Sequence, residues 1–111
     1  MASADIVRAA LLACLLTVPA GTAAAQDDTV ERGRALVSDM CSGCHAIGRT
    51  GPSPRIAAPA FRALDTRIDL DDFTDRLREG LQSTHADMPS FRFSRDDARA
   101  VVAYLRFIQA P

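Results

Sequence analysis

Apolar residues return at helical intervals in three stretches of the chain. The clearest is SRDDARAVVAYLRFIQ, where Ala98, Val101, Val102, Leu105 and Ile108 or Gln109 follow the three-four rhythm of one helix face. Ser94 and Asp97 form a capping pair ahead of it. A second stretch, DLDDFTDRLREGL, puts Leu70, Phe73 and Leu77 on one face. Asp69 or Asp71 caps its start, and Gly80 ends it. In the third, Val30, Gly33, Leu36, Val37 and Met40 recur at the same spacing. Asp28-Thr29-Val30-Glu31 reads as a capping box, so this helix is predicted from about residue 29 to the first cysteine after it. Gly33 in mid-helix costs about 1 kcal/mol against Ala. Either a neighbour must come close there, or the glycine is incidental.

Between the helices the chain reads as loop. GRTGPSPRIAAP, residues 48–59, holds two Gly and three Pro. A short helical turn, AFRAL, follows. QSTHADMPSFRF, residues 82–93, is polar and then carries Met88-Pro89, where Pro89 pushes Met88 toward extended backbone. No strand pattern and no repeat is visible. The fold class is therefore all-α, with three to four short helices and long connections. Helices this short hold together only by packing, so something central must gather them.

Length and composition sharpen that need. The chain has 111 residues, one domain at most. It has no Trp, one Tyr and five Phe. Small domains are marginal without help, and a large apolar cofactor would supply the missing core. The first residues read as an export signal rather than as part of the domain. Arg8 and the amino terminus precede ALLACLLTVPAG, and Ala23 and Ala25 make an A-x-A cleavage pattern. The expected organisation is a signal peptide over residues 1–25, cleaved before Gln26, and one domain over residues 26–111. The competing reading of this stretch is a buried or fraying N-terminal helix. The apolar run is shorter than the roughly 20 residues a bilayer requires, so the mature chain is expected to lack an integral membrane span. Cys14 sits inside the run, not at its end as in a lipoprotein signal, and would be discarded. The exported domain would work in the periplasm, an oxidising space. A net charge of −1 gives no nucleic-acid footprint.

Two cysteines then remain, both in CSGCH, Cys41 to His45. Three chemistries use such a motif. A thioredoxin-like dithiol requires it at a helix start within a βαβ unit. Here it follows a helix, and no strand is in sight. A closed zinc site requires four ligands, usually with a second Cys or His pair. The only other histidine is His85, standing alone. The third chemistry is covalent attachment of a c-type haem. Two thiols three positions apart on a helical turn reach the two vinyl groups, and the next residue directs its imidazole at the iron. A second axial ligand must then come from elsewhere. Met1 leaves with the signal, and Met40 lies too close before the turn to cross to the other face. Met88 lies far enough along to wrap around the ring, in a loop stiffened by Pro89. Its bland alternative is a gap-filling core residue. His85 is the rival ligand, and in HADMP the two cannot both bind. Arg49 and Arg55 are weighed as partners for a haem propionate, against the usual solvated loop arginine.

These motifs together resemble the small bacterial class I cytochromes c over nearly the whole mature chain. The matching features are Gly33 with Leu36 and Val37 ahead of Cys41, the CSGCH turn, Ala58-Pro59-Ala60-Phe61, Met88-Pro89, and Tyr104-Leu105 in the last helix. The resemblance implies helices wrapped around one covalent haem c, with the first and last crossing where Gly33 meets Tyr104 or its neighbours. It also implies that a proline carbonyl accepts the proton on the far nitrogen of His45. Pro59 is the candidate and Pro52 the runner-up. The function implied is electron transfer between a redox protein donor and an acceptor, not enzymatic turnover, with His45 and Met88 on the iron. The alternatives are a haem subunit of a larger dehydrogenase or oxidase, and a gas-binding or peroxidase-like haem module.

Overall fold

The computed structural model describes residues 21–111. Met1, Arg8, Cys14 and all of the apolar run except Gly21 lie outside the described residues. Among the described residues the elements are α1 (Gly21–Met40), a 3-10 helix (Phe61–Thr66), α2 (Leu70–Glu79) and α3 (Arg95–Ile108). The only pairing of extended chain among them is a single antiparallel bridge, Leu81 with Phe91. The chain is all-α, and the first and last helices pack on each other.

Helix α1 departs from the sequence pattern at its start. It covers Gly21–Met40 and does not begin near residue 29. Ala23, Ala24 and Ala25 are the best of helix formers and carry the helix through this region. Asp28 is therefore an interior residue, not a cap. Thr29 Oγ1 donates to the Ala25 carbonyl at 2.8 Å, and Glu31 pairs forward with Arg34 at 3.0 Å instead of reaching back. The caps of the other two helices match the pattern. Asp69 accepts from the backbone N–H groups of Asp71 and Asp72, and Gly80, at φ 118°, ends α2. Ser94 Oγ accepts from Asp97 N–H at 3.1 Å at the start of α3.

The crossing of α1 on α3 explains the mid-helix glycine. A Cβ at Gly33 would lie 2.6 Å from the carbonyl carbon of Ala100 and 2.8 Å from Tyr104 Cβ, with the Ala100 carbonyl oxygen closer still. Only hydrogen leaves room for the backbones to approach so closely. Arg32 of α1 ties the same pair of helices, donating Nη2 to Asp97 at 2.6 Å. Helix α2 packs against the other side of α3, where Arg106 pairs with Asp71. The core between them holds Val37, Leu70, Leu77, Ala98, Val101, Leu105 and Ile108, all buried. Among the described residues no charged side chain is buried, and the buried ones are apolar apart from the hydroxyl of Tyr104. Four of the core residues, Val37, Leu77, Val101 and Leu105, also form one wall of the site, whereas Ile108 lies away from it.

Candidate functional site

CSGCH is a continuation of α1 by one more turn. Cys41 N–H donates to Val37 O at 2.9 Å, and His45 N–H to Cys41 O at 3.0 Å. The turn thus inherits its direction from the helix that Gly33 seats on α3. Loop contacts hold its far end. Tyr104 of α3 donates its hydroxyl to Ile47 O at 2.7 Å, and burial raises that phenol above its ordinary range. Ala46 N–H donates to Ser53 Oγ at 2.9 Å, and Arg55 N–H to Cys44 O at 3.1 Å.

The imidazole of His45 is oriented by its neighbours. Nδ1 lies 2.8 Å from the Pro59 carbonyl oxygen. A carbonyl only accepts, so Nδ1 carries a proton, and in the neutral ring Nε2 then keeps its lone pair. The Phe61 ring lies against the imidazole, with centroids 4.7 Å apart and planes tilted by 35°. Pro52 is exposed on the loop before it.

Cys41, Cys44, His45 and Met88 line one cavity of about 400 Å³. Its other walls are largely apolar and include Phe61, Leu64, Phe73, Leu77 and Leu105. That volume is of the size that holds a small molecule or cofactor. Met88 is carried by the 82–90 loop, which Leu81 N–H to Phe91 O at 2.7 Å and Phe93 N–H to Leu77 O at 2.9 Å close at its base. Met88 is half-buried against the core, whereas His85, although it also lines the cavity, is exposed.

The thiols are both free. Burial pushes the Cys41 thiol up to about 11. A thiol of this kind is protonated at neutral pH and is a poor nucleophile for disulfide exchange. The motif also ends a helix, where no positive dipole end stabilises a thiolate. Both features run against the dithiol chemistry. Among the described residues no three His, Cys, Asp or Glu side chains gather as a metal-holding cluster, so the four-ligand set of a closed zinc site is not assembled there.

The two loop arginines separate. Arg49 donates to the Phe107 carbonyl at 2.6 Å and stacks 4.7 Å over the Phe107 ring, so it is committed to the end of α3. Arg55 lines the cavity and pairs with Asp87, beside Met88, at 3.0 Å. Sequence reasoning missed the stacking of Phe61 on His45 and the anchoring of the turn by Ser53 and the Tyr104 hydroxyl. No spacing rule announces contacts between residues so far apart in the chain.

Comparison with known proteins agrees with this geometry. Residues 28–105 match the family described as cytochrome C oxidase, cbb3-type, subunit III. Cytochrome c55X of Paracoccus denitrificans is 38% identical over 101 residues, covering 86% of this chain and 93% of that protein. Cytochrome c-552 of Bradyrhizobium diazoefficiens is 28% identical over 93 residues, covering 83% of this chain and 88% of that protein. No solved structure matches. With a family match that spans both walls of the cavity and includes the CSGCH turn, the chain belongs to the mono-haem c-type cytochromes, in the cbb3-type subunit III family.

Proposed function

We propose that residues 26–111 form a periplasmic one-electron carrier, exported by a signal peptide over residues 1–25. In this reading Cys41 and Cys44 bind one haem c covalently, His45 and Met88 are its axial ligands, and Pro59 supports His45. The observation that carries it is the convergence of two free thiols, one oriented imidazole and one thioether on a single apolar cavity. The residues fit the group. The Nε2 lone pair is available because Nδ1 is spent on Pro59, and the cavity walls are otherwise mostly carbon. Haem held there supplies a ferric/ferrous couple, and His/Met ligation favours a raised potential suited to electron transfer.

The chain's own residues do the rest. The Pro59 carbonyl draws on the Nδ1 proton and makes Nε2 a stronger donor. Phe61, Leu77, Phe73 and Leu105 give the cavity carbon walls. With Met88 as the second axial ligand, the iron would keep no open position for a substrate, which is what separates a carrier from an enzyme; the packing of Met88 against the core supports that reading. Both cytochrome relatives are covered almost whole by this chain, which favours a free carrier. The family description favours a second reading, the haem subunit of a larger oxidase, and co-purification of a stable partner would select it.

The test is Met88→Ala in protein made with haem attachment intact. The haem mass stays on the polypeptide, the sulfur-to-iron band of the ferric protein disappears, and carbon monoxide binds the reduced protein faster. A surviving band shows that another group is the ligand. Rapid carbon monoxide binding to the unaltered protein would favour the gas-binding alternative.

A further inference from the structure

The segment that orients His45 is held only in part by its own hydrogen bonds, such as Ala63 N–H to Ala60 O at 3.2 Å. The 3-10 helix is kinked at Ala63, whose φ of −123° and ψ of 17° are not helical. Backbone groups on both sides of the kink also find partners at the end of the chain. Asp65 N–H donates to Gln109 Oε1 at 3.0 Å, and Ala110 N–H donates to Arg62 O at 2.9 Å. Gln109 Nε2 donates to Phe61 O at 2.8 Å and to Leu105 O at 2.6 Å. Both amide hydrogens and the amide oxygen of Gln109 are thus engaged. Two carbonyls and one N–H as partners fix which way the amide points.

The same segment carries the two groups that hold the imidazole. Phe61 N–H donates to Ala46 O, next to His45, at 2.9 Å, and its ring lies against the imidazole. Pro59, two residues earlier, supplies the carbonyl to Nδ1. Gln109 itself is not among the residues that line the cavity. We propose that Gln109 is a positioning residue of the haem site: its side-chain amide splints the kinked segment to the end of α3 and so fixes the Pro59 carbonyl and the Phe61 ring on His45. This rests on the haem reading above. When the splint is lost, the Nδ1–H···O bond loosens, Nε2 becomes a weaker donor, and the ferric state loses more support than the ferrous. The potential therefore rises.

The experiment uses the haem-loaded protein in three variants. Gln109→Met keeps the length and removes the hydrogen bonds. Gln109→Glu keeps an acceptor for Asp65 N–H and loses both donors. Ile108→Ala weakens the buried end of α3 without touching the amide contacts. The readouts are solvent exchange of the His45 Nδ1 proton in the reduced protein, by NMR, and the reduction potential. Gln109→Met loses all three amide hydrogen bonds, two of them to the kinked segment, so the proton exchanges about tenfold faster and the potential rises. Gln109→Glu shifts both readouts in the same direction and serves alone if the Met variant does not fold. Ile108→Ala leaves both at their wild-type values. Wild-type exchange and potential in the haem-loaded Gln109 variants, or an equal change in Ile108→Ala, overturns the inference and leaves the electron carrier standing. A wild-type protein without covalent haem sinks both.

Discussion

A methyl group added at Gly33 meets backbone, not a side chain that can swing away. The helix itself would welcome the change, since Ala is favoured over Gly by about 1 kcal/mol in a helix interior. The contacts oppose it, because the new Cβ falls 2.6 Å from the Ala100 carbonyl carbon and 2.8 Å from Tyr104 Cβ. Overpacking costs about 1–3 kcal/mol where neighbours can adjust, and here two helix backbones must move apart. Gly33→Ala is therefore expected to lose about 2 kcal/mol net, read by urea unfolding of the haem-loaded protein. A neutral or stabilised variant would mean that α1 and α3 do not cross at this point. The same displacement reaches the site, because the CSGCH turn continues α1 and Tyr104 anchors Ile47.

At the scale of elements, Arg32 and Asp97 join α1 to the first turn of α3, and the pair has a pH signature. The Arg32 guanidinium, and then the Ser94 hydroxyl, hold the Asp97 carboxyl below its ordinary range. A depressed carboxyl contributes stability above its unfolded pKa, near 3.9, and that contribution fades as pH falls through the lower folded value. Arg32 is exposed, so the contribution is that of a surface pair, under about 1 kcal/mol. Asp97→Asn should be slightly less stable than the wild type at pH 7, with the difference closing as pH falls below about 4 and the Asp97 carboxyl takes up its proton. A constant difference across that range would assign the effect to the helix cap and not to charge. These helices also show what the amino-acid order reveals. Helices α2 and α3 are legible because their apolar period, their Asp69 and Ser94 caps and Gly80 all agree. The start of α1 is not, because Ala23 and Ala25 fit a cleavage pattern and a helix equally well. CSGCH and Met88-Pro89 announce themselves by residue type and spacing. The kink at Ala63 and its repair by Gln109 do not, since they arise from contacts between distant segments with no period to read.

For the whole molecule, the central question is what fills the space between these elements. Val37, Leu77, Leu81, Val101 and Leu105 belong both to the buried core and to the cavity wall, so core and site are one surface. At roughly 24 cal/mol per Å³, an unfilled cavity of about 400 Å³ costs on the order of 10 kcal/mol, and water entering at the mouth lowers that figure. The cost is nonetheless comparable with the entire stability of a small domain, about 5–15 kcal/mol. Among the described residues no bridge between cysteines offsets it, because Cys41 and Cys44 are free and lie within one turn. Nor can the helices stand alone, since α2 spans only Leu70–Glu79 and isolated helices of that length are unstable in water. The polypeptide made without haem attachment is therefore expected to be largely unfolded, with weak far-UV circular dichroism and no cooperative melting transition. The haem-loaded form should be helical and melt sharply. An apoprotein that keeps the helical signal and melts cooperatively would show that the cavity walls close on themselves, and the cofactor would then be a passenger in this fold and not its centre.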